Sequence, residues 1–486
     1  MTNWAVAQKP DERLAGLDQE IESLLKAYNA AGLSVAVVEK NKVLYSKGFG
    51  YRDYQKKLPV TPNTAFPIGS ATKAFTAALL GMLAEHNKLA LTDKPSKHLP
   101  GLRFYSDQMN QYVTLGDLLT HASGLGNVDG PAVMFPVNNR KVFLERLPHI
   151  KPSSGVRDRW EYSNLGYIIA GAVAESASGT TWEKNIEEKI FIPLGMESST
   201  TSIADLLKGN DFSYGYGLAG KEVRKVLYRG MLDASPAGAV NSTANDLCKW
   251  VMAWLNEGKL RDAQVLPSGY VSQATSARVI DNGAPPPKDD PGTYLFCYGY
   301  GWFVASNKGH YRVMHGGNTS GFSTNVAMYP TDDLGIVVLT NQNNSLLPFV
   351  LTDLISNRML NLDRTSWDKY PVKAGQVNHV YRKTAPAGSG KKPEHPLKAF
   401  TGTYQNPGYG QFDLILEKGA LYAVFPAFRL RLRHLEGNAF QMQATEEVHQ
   451  DINPEAFSLD FTTGGNGEIT GVKIDLQSEP VVFSKN

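Results

Sequence analysis

Residues Phe66-Pro-Ile-Gly-Ser-Ala-Thr-Lys73 decide the reading of this chain. They lead from a Pro/Gly turn into a run containing Ala74, Phe75, Ala77, Ala78, Leu79, Leu80, Met82 and Leu83, which reads as a buried helix. Ser70 and Lys73 lie three positions apart, so one helical turn brings them onto the same face. A neutral amine beside a hydroxyl can take its proton and make the serine nucleophilic. The helix N-terminus adds backbone N–H groups and positive dipole potential where an oxyanion would form.

Ser-x-x-Lys alone carries little weight, because the pattern recurs elsewhere in the chain. Ser23-Leu-Leu-Lys26 falls inside an amphipathic helical stretch, and Ser389-Gly-Lys-Lys392 falls in a Gly/Pro/Lys tract. Context separates Ser70 from both. Downstream stand two further motifs, Glu161-Tyr-Ser-Asn-Leu-Gly-Tyr167 and then Met314-His-Gly-Gly-Asn-Thr-Ser-Gly-Phe322.

With these three motifs in this order the chain resembles the penicillin-recognising serine hydrolases: class C β-lactamases, D,D-peptidases, and the related esterases and D-aminopeptidases. That family uses Ser-x-x-Lys, then Tyr-x-Asn, then Lys-Thr-Gly or His-x-Gly. The stretch Val113-Thr-Leu-Gly-Asp-Leu-Leu-Thr-His-Ala-Ser-Gly-Leu125 is similar to the family's segment between the first two motifs, and the resemblance runs from residue 15 to residue 360. It implies a β-lactamase/transpeptidase-like fold, an antiparallel sheet with flanking helices plus a helical lobe. It also implies Ser70, Lys73 and Tyr162 as catalytic residues and the backbone N–H groups of Ser70 and Asn318 as the oxyanion site. Asn164, His315, Gly316 and Gly317 are the implied substrate-binding residues.

The chemistry of each position is consistent with that assignment. A phenol held near Lys73 loses its proton more easily, because a neighbouring cation lowers its pKa. Lys73 and Tyr162 therefore form a coupled pair whose proton cannot be assigned to one member. Asn164 shares the face of Tyr162 if the segment is extended, and would bind a substrate amide or orient Lys73. His315 stands where β-lactamases and D,D-peptidases carry lysine. An imidazole of pKa near 6.5 is mostly neutral at pH 7, so the permanent cation that anchors a β-lactam carboxylate is missing. In the family, histidine here is typical of the esterase and aminopeptidase branches. The glycines Gly299, Gly301, Gly316, Gly317 and Gly321 fit close backbone approach to a substrate or strand-end turns.

Other chemistries find little support. The Gly-x-Ser-x-Gly elbow is absent. The ten histidines show no His-x-x-x-His spacing and there is no Cys-x-x-Cys, so neither a zinc site nor any other cofactor is expected. His121 reads as a structural, hydrogen-bonded histidine. With 49 basic and 47 acidic residues the net charge is +2, which argues against a nucleic-acid surface. No apolar run approaches the roughly 18 residues of a membrane span. Cys248 and Cys297 sit among apolar neighbours and read as buried thiols, with one bridge between them left open. Ala5-Val-Ala7 before Gln8 has the small-x-small form of a signal-peptidase site. A periplasmic or secreted protein is the expectation, with the cytoplasm as the alternative.

Strands clustered at both ends of the first part define an α+β class. Asp11 to Ala31 reads as an amphipathic helix, followed by a hairpin, Leu33–Val38 and Val43–Phe49. Strands return at Tyr300–Val304, Tyr311–Met314, Thr324–Tyr329 and Leu334–Leu339, and Leu347–Leu360 reads as a closing helix. The middle, 75 to 285, reads as mostly helical. Thr384–Pro393 has linker composition, and beyond it short alternating runs predict a small all-β, lipocalin-like barrel, as some members of the superfamily carry. The expected organisation is an N-terminal extension at 1–10, a hydrolase domain at 11–380, a linker at 381–396 and a barrel at 397–486. Arg429, Arg431 and Arg433 alternate with Leu430 and Leu432, either as a solvated outer face or as a basic lumen.

The leading expectation is thus a serine hydrolase forming an acyl-enzyme on Ser70, an esterase or an amidase/peptidase, with D-amino-acid specificity open. Its partner would be a small-molecule or peptide substrate, and a homo-oligomer is open. Acyl transfer in a thioesterase or peptide cyclase, weak β-lactamase activity, and a catalytically silent ligand-binding protein are the alternatives.

Overall fold

The computed structural model describes residues 11–126, 134–137, 139–228, 234–286, 288, 292–363, 392–443, 457–476 and 479–486. The expected extension at 1–10 and most of the expected linker lie outside the described residues, as does Ser389.

Residues Gly32–Glu39 (β1) and Lys42–Asp53 (β2) form the expected hairpin, closed by Lys40-Asn41. Leu58–Pro59 (β3) follows at one edge. The late strands are Val279–Asn282 (β4), Thr293–Tyr298 (β5), Phe303–Asn307 (β6), His310–Thr319 (β7), Phe322–Tyr329 (β8) and Leu334–Thr340 (β9). Together they make one nine-stranded sheet in the order β4-β5-β6-β7-β8-β9-β1-β2-β3. Early and late strands of this domain therefore meet at the β1–β9 pair, where Leu33 faces Thr340 and Glu39 faces Leu334.

Helices cover both faces, and β1 is buried from Gly32 to Val38 for that reason. Leu33, Val35 and Val37 pack with Ile336 and Val338 against Leu17–Ala27 (α1) and Leu347–Met359 (α5). Ala36 and Val38 join the opposite core, which holds Thr72–Glu85 (α2), Asn164–Ser178 (α3) and Ala244–Leu255 (α4). Each fully buried leucine or isoleucine of α1 (Leu17, Ile21 and Leu24) contributes about 1.5–3 kcal/mol. The helix expected from Asp11 begins only at Leu17, because Gly16 adopts φ +75° and interrupts it after a short 3-10 turn at Glu12–Leu14. The sheet-edge strand β4 and a hairpin at Gly215–Ala219 and Glu222–Val226 are further departures from the helical reading of the middle region.

Strands Gly402–Asn406 (β10), Gly410–Glu417 (β11), Ala420–Val424 (β12), Arg429–Glu436 (β13), Ala439–Gln443 (β14), Ser458–Thr463 (β15), Ile469–Ile474 (β16) and Val481–Lys485 (β17) build a closed barrel, each pairing with the next and the last with the first. In Arg429–Glu436 (β13) Leu430 and Leu432 point inward and are buried. Arg429 lies outside, ion-paired to Glu417 and stacked on Tyr422 at 4.5 Å, so the arginine row is an outer face and not a lumen. One ring of the sheet-and-helix domain packs among the barrel's inner aromatics. Phe135, 1% exposed, reaches Phe425 (5.3 Å), Phe483 (5.6 Å) and Phe412 (6.4 Å), ring centre to ring centre. Cys248 and Cys297 are free and buried, with no bridge between them.

Candidate active site

Ser70 lies in a 3-10 turn, Gly69–Ala71, that feeds directly into α2. Three main-chain contacts fix this turn. Ile68 N–H donates to Val240 C=O (2.9 Å), Val240 N–H donates to Thr72 Oγ1 (3.0 Å), and Thr324 Oγ1 donates to Ile68 C=O (3.0 Å). Gly69 has φ +53°, and a Cβ there would stand 2.9 Å from the Asn318 nitrogen. A Cβ on Gly317 would stand 1.8 Å from the Ile68 oxygen. The two glycines thus let the main chain of β7 lie directly on the serine turn, which brings Asn318 beside Ser70. The side chain of Asn318 is held apart from the cleft chemistry: its Oδ1 accepts from Ser323 Oγ (2.8 Å) and its Nδ2 donates to Asn344 (2.7 Å).

Lys73 is completely buried. Its Nζ lies 3.2 Å from Ser70 Oγ, 2.6 Å from Asn164 Oδ1 and 2.9 Å from the Ala237 carbonyl. The same Nζ sits 4.7 Å from the centre of the Tyr162 ring. Asn164 opens α3, capped by Ser163, whose Oγ accepts from Gly166 N–H (3.2 Å). The structure therefore brings Ser70, Lys73, Tyr162, Asn164 and Asn318 into one constellation at the seam between the sheet and the helical lobe.

His315 is in β7, inside the sheet rather than at its end, and is 1% exposed. Its Nδ1 donates to the Gly316 carbonyl (2.6 Å), so Nε2 accepts from the Tyr298 hydroxyl (2.8 Å). Burial first, and then the charge of Lys73, pushes its pKa down to about 3. The ring is neutral and both nitrogens are engaged within the protein, so it lies beneath the site and offers no nitrogen to a ligand. Gly316 packs against the Phe349 ring, where a Cβ would come within 2.5 Å.

His121 carries more of the site than its sequence context shows. It adopts φ +62° and is fully buried. Its carbonyl accepts from Glu161 N–H (2.9 Å), and its Nδ1 accepts from Ser163 N–H (3.1 Å). One residue thus grips the main chain on both sides of Tyr162, and its ring lies 4.5 Å from the Tyr162 ring. Burial, Lys73 and His315 hold its pKa well below 6.5. Its proton sits on Nε2, away from Ser163. The signal that would have found it is its place in the Thr120-His-Ala-Ser-Gly124 turn, where a left-handed residue can meet the second motif.

A Ser-Lys pair joined by Tyr and Asn, set between an antiparallel sheet and a helical lobe, is the arrangement expected from the resemblance to the penicillin-recognising enzymes. The chain belongs to the β-lactamase family, whose sequence profile matches residues 17–355. A second profile, of a domain of unknown function, matches residues 386–485. Among curated proteins the chain is 30% identical over 450 residues to unguisins hydrolase ungD' of Aspergillus campestris, covering 84% of this chain and 80% of that one. It is 28% identical over 359 residues to protein flp of Staphylococcus aureus, covering 72% and 67%. Among solved structures the octameric penicillin-binding protein homologue of Pyrococcus abyssi shares the fold with TM-score 0.64 and 23% identity, over 97% of this chain and 100% of that one. A class C β-lactamase matches with TM-score 0.59 and 24% identity, over 73% and 98%.

Proposed function

We propose that this protein is a serine hydrolase working through a covalent acyl-enzyme on Ser70, an esterase or amidase/peptidase acting on small acyl or peptide substrates. The observation that carries the reading is the environment of Lys73. A neutral amine donates two hydrogen bonds and accepts one. With Asn164 and Ala237 as acceptors at 2.6 and 2.9 Å, its lone pair faces Ser70 Oγ at 3.2 Å. The protonated amine finds acceptors in the same three neighbours. Both charge states needed for proton transfer are therefore accommodated without rearrangement.

In the acylation step Ser70 Oγ attacks the carbonyl carbon and its proton passes to the Lys73–Tyr162 pair. The carbonyl oxygen becomes an oxyanion facing the N–H groups of Ser70 and Asn318. Collapse breaks the bond to the leaving oxygen or nitrogen, which takes the proton. Water then attacks the ester carbonyl, gives its proton to the same pair, and Ser70 leaves as a restored hydroxyl. The neutral, enclosed His315 supplies no cation for a substrate carboxylate, which favours neutral esters and amides over β-lactams. The name of the relative ungD', a hydrolase, supports turnover over a silent receptor.

A panel of activated esters and of D- and L-amino-acid amides, with rapid-quench intact-mass analysis, tests the reading. The expected result is a mass gain equal to one acyl group, lost in Ser70→Ala. Turnover that survives in Ser70→Ala, or no adduct and no turnover with any member, would overturn it.

A further inference from the structure

Next to the constellation stand three aromatic rings that the mechanism does not use. Trp160 lies 6.0 Å from Tyr162, Phe303 lies 5.3 Å from His315, and Phe296 stacks on Phe303 at 5.0 Å, all between ring centres. Trp160 and Phe303 are themselves 5.8 Å apart. Core aromatics of this protein are fully enclosed, whereas these three are half-buried. The wall is stiff, because its floor is Tyr298, fully buried, 4.7 Å from Phe303 and hydrogen-bonded to His315. Further out on β5, Tyr294 is 48% and Leu295 61% exposed. Half-buried apolar rings beside reactive groups are the form of a ligand subsite.

We propose that Trp160, Phe303 and Phe296 form a specificity subsite for an uncharged aromatic group of the substrate. The proposal rests on the acyl-enzyme reading and narrows its substrate class. The neutral His315 beneath the wall fits an uncharged occupant, and offset or edge-on ring contacts at 4.5–7 Å are the spacing that aromatic pairs favour.

The test uses S-methyl thioesters of acetic and phenylacetic acids, with benzyl thioacetate for the leaving-group side, on the full chain. The wild-type kcat/KM should be about tenfold or more higher for whichever aromatic substrate reaches the wall than for S-methyl thioacetate. Phe296→Ala and Phe303→Leu should each reduce that ratio to about threefold or less. A mere loss of packing would lower all rates together and leave the ratio standing. An unchanged ratio in both variants, or no aromatic preference in the wild type, overturns the proposal. Fluorophosphonate labelling of the same proteins separates this failure from failure of the acyl-enzyme reading, since labelled Ser70 with no aromatic preference sinks the subsite alone. Should Ser70 prove unreactive, calorimetric titration of Ser70→Ala with phenylacetamide still decides the matter. Tighter binding than acetamide, weakened about fivefold by Phe296→Ala, supports the wall; equal binding contradicts it.

Discussion

The main chain around Ser70 is fixed by contacts of its neighbours, and so is the main chain around Tyr162. His121 grips Glu161 and Ser163 through its carbonyl and its Nδ1, so His121→Ala should loosen the phenol's placement without touching any substrate. The expected cost is about 2–4 kcal/mol in unfolding free energy, from the cavity and from the buried Ser163 N–H left without its acceptor. A fall of about tenfold or more in kcat, with a smaller change in KM, should accompany it. Urea unfolding and steady-state kinetics check both, and an unchanged kcat would remove His121 from the positioning of Tyr162. His315 gives a pH signature of definite sign. Its folded pKa, about 3, lies below the ordinary 6.5, so the unfolded chain binds a proton that the folded one refuses. The associated stability is fully present above about pH 6.5 and is lost as the pH falls toward 3, approaching about 1.4 kcal/mol per pH unit. Urea titrations between pH 6 and 4.5 should show a shallower loss for His315→Gln. Identical pH slopes would mean that His315 is not held neutral.

Strand β7 and the serine turn meet with almost no space between them. A Cβ on Gly317 would fall 1.8 Å from the Ile68 oxygen and 2.6 Å from Thr324 Oγ1. Neither neighbour is free to give, because Thr324 Oγ1 donates to that same Ile68 oxygen. Gly317→Ala should therefore part the strand from the turn, destabilise by roughly 1–3 kcal/mol through overpacking, and lower kcat/KM by about a hundredfold through displacement of Asn318 from Ser70. A thermal melt and initial rates decide it; wild-type rates in the variant would show that the close approach is dispensable. This contact also marks the limit of what the sequence discloses. The ordered motifs and the apolar runs of β1, β8 and β9 are legible, because both faces of these strands are buried. The edge strands β4 and β5 are not, because Ile280, Tyr294 and Leu295 stay exposed and leave no alternation to read. The length of β7 was missed as well. His315-Gly-Gly317 looks like a turn by composition, yet its glycines serve close packing inside a strand. The rings Trp160, Phe296 and Phe303 come from residues far apart in the chain, which no local pattern connects.

On the scale of the whole molecule, the sheet-and-helix domain and the barrel share a core through Phe135. Around it, Arg146 donates to the Phe135 carbonyl (3.0 Å), and Lys151 pairs with Glu479 at 2.6 Å on the surface. The barrel is therefore docked, and removing it would expose a ring that is now 1% accessible. Phe135→Ala should cost about 3–5 kcal/mol of that docking. In calorimetry the wild type should melt in one transition and the variant in two, the barrel first; a single unshifted transition in Phe135→Ala would show that the ring does not join the domains.

The account as a whole stands on Ser70 as the nucleophile, and peptide mapping after reaction with a fluorophosphonate measures that directly. One equivalent of label on the tryptic peptide that carries Ser70, absent from Ser70→Ala and strongly slowed in Lys73→Ala, is the result expected. Label on another serine, or undiminished labelling of Ser70→Ala, would contradict it.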